Sequence, residues 1–234
     1  MTTGTPAIMG LLALLAAILC VPVHAGPCVA RSAAQTVALV ELYTSDNCSR
    51  CPAAERWLSS LQERGSAVIP LALHVDYADY IGHPRRQRKL TPRQRLALVY
   101  SPQVVLQGRD FRGWATPAFD EAVARINARP ARAKLSLEIV SMKGDTMVVQ
   151  AGAELVGAAE AGDAALYLAT YESRLENVVL EWQGPTMFLE PRLVAQRQLA
   201  LLPKARPERS GVVGFVQSRR TGEVLQALML PACP

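Results

Sequence analysis

No Lys or Arg precedes the apolar run from Ile8 to Val21, and no other stretch of the chain is apolar and long enough to span a bilayer. There is no internal repeat and no low-complexity segment beyond the first 25 residues, which argues against a solenoid or a flexible linker. Aromatic residues make up only 6% of the 234 positions. None of them falls among Arg85-Arg86-Gln87-Arg88-Lys89 and Arg93-Gln94-Arg95, six basic residues with no acid between them. A basic surface without aromatics is poorly suited to stacking single-stranded bases, so nucleic acid is not an expected partner. The simplest reading of 85–95 is a solvated loop and helix face; the alternative is a patch for anionic partners or lipid head groups. Half of the residues are hydrophobic and the net charge is only +5, a composition that excludes disorder and supports a packed core.

Residues 1–25 read as a secretory signal. The run Ile8–Val21 is too short to cross a bilayer comfortably, and Val23-His24-Ala25 offers a cleavage site before Gly26. Lipid attachment at Cys20 is disfavoured by the bulky Ile18-Leu19 before it. Export places the protein in the periplasm or outside the cell, with no transmembrane segment in the mature chain. Removal of the signal leaves Cys28, Cys48, Cys51 and Cys233, an even set suited to an oxidising compartment. Cys48 and Cys51 form the obvious local pair. Cys28 and Cys233, near the two mature ends, are then expected to form a structural bridge; two free buried thiols are the alternative.

The first half alternates strand and helix signals. Val37–Tyr43 and Ala67–Val75 read as buried strands, Pro52–Leu61, Thr91–Val99 and Pro117–Ala128 as helices, and Val104–Leu106 as a third strand ended by Gly108. After Pro130 the texture becomes β: Leu135–Val140, Met147–Val156, Ala164–Tyr171, Gly211–Gln217 and Glu223–Leu230 read as strands, and Glu190–Leu202 reads as a helix. The pattern predicts an α/β domain over 26–130 and a small, sandwich-like β-rich unit over 131–234.

Cys48-Ser49-Arg50-Cys51-Pro52 is the candidate site. Two thiols three positions apart at a helix start can close a small disulfide, and the helix N-terminus and Arg50 both favour a thiolate. Cys48 is expected to attack and Cys51, one turn further in, to resolve. A permanent disulfide without exchange is the competing reading. Glu41 is the one charge in Val37–Tyr43; it either exchanges a proton with Cys51 or pairs with an arginine or solvent. Pro102, just before Val104, cannot donate to a sheet ladder and is a candidate for a cis bond.

These pieces resemble the thioredoxin superfamily: a strand, C-x-x-C at a helix start, and a proline opening a later strand, with Glu41 in the place of the buried acid many members carry. More closely, Val40-Glu41-Leu42-Tyr43-Thr44-Ser45 through Cys48-Ser49-Arg50-Cys51-Pro52, His74-Val75-Asp76-Tyr77-Ala78-Asp79-Tyr80 and Tyr100-Ser101-Pro102-Gln103 resemble a secreted bacterial family, domain of unknown function 1223. The resemblance implies a thioredoxin-like domain with a β-rich extension, Cys48, Cys51, Glu41 and Pro102 at its site, and protein thiols or disulfides as partners. It implies no cofactor. It also puts His74 and Asp76 near the active face, although a histidine bonded to backbone is the plainer expectation. Two other functions stay open: a periplasmic module binding a soft metal such as Cu(I) through Cys48, Cys51 and a histidine, and a non-catalytic binding protein using the fold as a scaffold.

Overall fold

The computed structural model describes Met1 and residues 28–63, 67–75, 83–90, 99–157, 162–173, 178–182, 185–188, 190–201 and 205–233. The secretory-signal reading therefore lies outside the described residues, as do Asp76 and the helix expected from Thr91 on.

Strands dominate what is described. Thirteen strands accompany three α helices: β1 (Val29–Arg31), β2 (Ala38–Thr44), α1 (Cys51–Glu63), β3 (Val68–His74), α2 (His83–Leu90), β4 (Gln103–Leu106), β5 (Arg109–Asp110), α3 (Pro117–Asn127), β6 (Ala133–Lys143), β7 (Thr146–Leu155), β8 (Ala164–Glu172), β9 (Val178–Trp182), β10 (Thr186–Met187), β11 (Arg192–Ala200), β12 (Ser210–Ser218) and β13 (Val224–Pro231). The α/β thioredoxin-like expectation is corrected by this architecture, which is β-rich. The physical reason is strand pairing. β2, β3, β4 and β5 do not close a sheet of their own but continue, through β9, into β8, β12 and β13, giving the order β13-β12-β8-β9-β3-β2-β4-β5 with β10 on β8. Among the described residues only β2 with β3 and β3 with β9 pair in parallel. A second sheet, β1-β6-β7-β11, is antiparallel throughout.

Three apolar clusters follow from the alternation of side chains along strands. Leu135, Leu137, Met147 and Val149 of the second sheet pack on Leu166, Leu168, Val212 and Val216 of the first, a face-to-face sandwich. Ala38, Val40 and Leu42 of β2 face Ala54, Leu58 and Leu61 of α1 and Phe119, Val123 and Ile126 of α3. Leu39 and Tyr43, on the other face of β2, meet Tyr171, Val213, Phe215 and Ala227. The long sheet thus curls until β13 lies near β2, where the Gln226 side chain accepts from the Val37 N–H at 2.9 Å. The β4–β5 turn is pinned there too. Gln107 accepts from the Leu39 N–H at 3.0 Å and donates to the Val224 carbonyl at 2.6 Å. Gly108 has φ +81°, and a Cβ on it would sit 1.8 Å from the Gly222 carbonyl oxygen, so glycine is required by both conformation and space.

Two further readings change. The segment Glu190–Leu202, expected as a helix, holds strand β11 (Arg192–Ala200), which pairs with β7 over nine residues. The basic segment is not uniformly solvated: α2 buries Arg86 and Gln87.

Candidate functional site around Cys48 and Cys51

β2 is buried along its whole length, so the chain leaves it at a fixed point in the sheet. The loop Ser45–Arg50 then turns into α1, which begins at Cys51. Cys48 and Cys51 are joined by a disulfide, and the Cys51 N–H donates to the Cys48 carbonyl at 3.1 Å. Cys51 is buried at 1% exposure, whereas Cys48 is half-buried and Ser49 and Arg50 are exposed. The first turn of α1 carries no acidic residue, so nothing there opposes the positive end of the helix dipole.

The Ser101–Pro102 bond is cis and opens β4. Its loop is held against the cysteine loop by the hydroxyls of Ser45 and Ser101, 3.1 Å apart. From behind, Gln87 of α2 donates to the Tyr100 carbonyl and to the Gln103 side chain, both at 2.8 Å. Gln103 donates to Asp110 at 3.0 Å, and the Tyr100 hydroxyl donates to the same carboxylate at 2.5 Å. Burial, and then that hydrogen bond, push the Tyr100 pKa up to about 12, so the phenol stays a neutral donor. In front lies a cleft of about 390 Å³ lined by Arg50, Tyr100, Pro102, Phe111, Arg112 and Trp114 among others.

Glu41 is placed elsewhere. It is 1% exposed and points, with Leu39 and Tyr43, to the face of β2 away from α1. There it forms an ion pair with Arg86, with the guanidinium nitrogens at 2.6 and 2.7 Å from Oε1. Arg86 also lies 5.2 and 4.8 Å from the ring centroids of Tyr167 and Phe215 and donates to Gln217 at 3.2 Å. Burial opposes the Arg86 charge, but Glu41, together with Tyr43 and Tyr167, offsets that cost and leaves its pKa above the ordinary value. Burial first, and Glu41 second, drive the Tyr43 pKa well upward. Of the two roles open to Glu41 in the sequence, pairing with an arginine is the one the geometry allows; the sheet itself separates it from the α1 side. A different carboxylate does lie on that side. Glu55, one turn beyond Cys51 on α1, accepts a hydrogen bond from Thr44 at the end of β2.

His74 ends β3 about half-exposed, 3.7 Å from Asp46. The two thiols are consumed in the disulfide, and among the described residues no three His, Cys, Asp or Glu side chains converge as a metal site. The described residues do not assemble the copper-type ligand set. Cys28 and Cys233 are joined in a second disulfide, their Cα atoms 5.6 Å apart. Sequence reasoning missed Glu55, whose i+4 spacing from Cys51 was legible, and Arg112, Phe111 and Trp114, which carry no local signal.

The family described as Protein of unknown function (DUF1223) matches residues 39–185, more than half of the chain and inclusive of both cysteines of the pair. A crystal structure of a protein from Agrobacterium tumefaciens is similar with a TM-score of 0.59 at 20% identity, covering 86% of this chain and 97% of that one. HBP35 of Porphyromonas gingivalis is similar with a TM-score of 0.62 at 12% identity, covering 85% of this chain and 76% of that one. Likeness at such identities speaks to the fold alone. No curated protein matches the chain.

Proposed function

We propose that this chain, which belongs to the DUF1223 family, is an exported thiol–disulfide oxidoreductase that works through Cys48 and Cys51. One observation carries the reading: a half-buried Cys48 and a fully buried Cys51 form a disulfide at a helix N-terminus, bound through Ser45 and Ser101 to the Pro102 loop and next to a cleft lined by Arg50, Ser101 and Pro102. That asymmetry of access separates an attacking from a resolving thiol. Export is supported by the signal-like residues 1–25 and by two disulfides, which persist in oxidising compartments. No described helix is long and apolar enough to cross a membrane.

In the reduced protein, the Cys48 thiolate attacks one sulfur of a partner's disulfide. A mixed disulfide forms and the partner's other sulfur leaves as a thiolate. Cys51 then loses its proton and attacks the Cys48 sulfur, restoring the Cys48–Cys51 bond and releasing the partner's second thiolate. The partner gains two electrons and the pair loses two; the reverse sequence oxidises a partner dithiol. The α1 N-terminus and Arg50 stabilise the Cys48 thiolate. Glu55, not Glu41, takes the Cys51 proton. Pro102 offers no N–H and leaves its edge to an extended partner segment.

Alkylation of the reduced protein across pH tests this. Cys48 should titrate below the free-thiol value of about 8.5 and Cys51 should resist modification. Glu55→Gln should slow release of a captured partner more than its capture. A Cys48 that reacts only above about 8.5, alongside an equally reactive Cys51, contradicts the proposal.

A further inference from the structure

We infer that the cleft beside the disulfide selects partner segments carrying carboxylates next to the reacting cysteine; the inference rests on the exchange chemistry proposed above for its meaning. The occupant is an extended, acidic peptide segment of a partner protein. Charge and shape carry the argument. Arg50 and Arg112 line the same cleft. Arg50 is exposed, and no ion pair involves it among the described residues. The Arg112 side chain is 76% exposed and only its Nε–H is directed at Asp110, at 3.3 Å. Asp110 is the acid nearest at hand in this wall, and it is 12% exposed and already accepts from Tyr100 and Gln103. Its charge is turned into the wall, so among the described residues the cleft is lined by two guanidinium groups and no carboxylate.

Much of the rest of the lining is apolar or aromatic, from Pro102, Val104, Phe111 and Trp114. Trp114 lies 5.0 Å from Trp57 of α1, Trp57 lies 4.9 Å from Phe119 of α3, and Phe119 lies 6.0 Å from Phe111. Arg112 sits over the Tyr100 ring at 5.7 Å. In a chain this poor in aromatics, five of them gather at or directly behind one cleft. A wall held by α1 and α3 needs little ordering when a peptide docks, and aromatic and proline surface takes up the aliphatic stem of a glutamate while arginine meets its carboxylate.

Fluorescence anisotropy with the oxidised protein tests the inference without requiring exchange. Two labelled peptides are identical except that a central serine, standing for the partner's cysteine, is flanked by two Glu or two Lys. The Glu peptide should bind about tenfold more tightly at low salt, with the preference shrinking as salt rises. Arg112→Gln and Arg50→Gln should each reduce the preference, and the double variant should abolish it; both positions are exposed, so folding is not at issue. Equal binding of the two peptides, or a preference that survives the double variant, overturns the inference. So does displacement of the Glu peptide by oxidised glutathione at matching concentration, which would make the occupant a small molecule. Cysteine-containing versions separate the two readings. Selective binding of the Glu peptide with no exchange by its cysteine form sinks the redox reading and leaves acidic-peptide docking standing. Exchange with both cysteine peptides at equal rates does the reverse.

Discussion

Arg86→Ala is expected to cost the folded protein about 3–5 kcal/mol, among the largest effects of any single substitution in this chain. The change leaves the Glu41 carboxylate, 1% exposed, without the guanidinium that lies 2.6 Å away. It also removes a cation that lies beside both of the stacked rings of Tyr167 and Phe215, 5.2 and 4.8 Å from their centroids. The loss should spread to the site, because Arg86 anchors α2 and its neighbour Gln87 holds the Tyr100 carbonyl. Replacing both partners by apolar residues, as in Glu41→Leu with Arg86→Met, should recover most of the stability, since a buried pair exchanged for packed hydrocarbon is often neutral. Urea unfolding of the single and double variants measures both. A single-variant cost under about 1 kcal/mol would mean the pair is solvated and the account of it as a buried ion pair is mistaken.

Cys28→Ser with Cys233→Ser is expected to cost about 5 kcal/mol, the chain-entropy estimate for opening a loop of 205 residues. The bridge has a geometric role beyond entropy. Cys28 precedes β1, the edge of the four-stranded sheet, and Cys233 follows β13, the edge of the nine-stranded sheet. One covalent bond therefore fastens the two sheets of the sandwich at their margins. Thermal unfolding of the double variant beside the oxidised protein gives the number. A change of less than about 1 kcal/mol would show that β1 is held by its pairing with β6 alone.

The elements that the sequence disclosed are those whose signal is local. β2 is a run of apolar residues broken once by Glu41, α1 is announced by Cys51-Pro52 and by Ala54, Leu58 and Leu61 at helical spacing, and the hairpin of β12 and β13 is marked by Thr221-Gly222. What stayed hidden depends on pairing between distant segments. Nothing in the residues around Val178 says that β9 will add to β3 and carry the first half's strands into the second half's sheet, and that single parallel contact is why the molecule is β-rich where an α/β domain was expected. β11 was disguised by its own composition. Its inward row holds Leu193, Ala195, Arg197 and Leu199, and the small and charged members break the alternation enough for a helical reading to fit. Glu41 shows the same limit at the site. The strand's period placed it on the Tyr43 face, but which face carries α1 is a tertiary fact. The buried partner, Arg86, was concealed inside a run of basic residues that read as solvent-facing.

Trapping in vivo-like lysate reads the central claim most directly. The Cys51→Ser and Cys48→Ser proteins, each otherwise full chain, are mixed with a periplasmic extract, quenched with alkylating agent and run with and without reductant. Cys51→Ser should yield a ladder of reductant-sensitive adducts joined through Cys48, because the second step that frees the partner is gone. Cys48→Ser should yield none, since Cys51 is buried at 1% exposure and out of a partner's reach. Adducts in both variants, or in neither, would contradict exchange led by Cys48 and leave the Cys48–Cys51 bond as a structural staple.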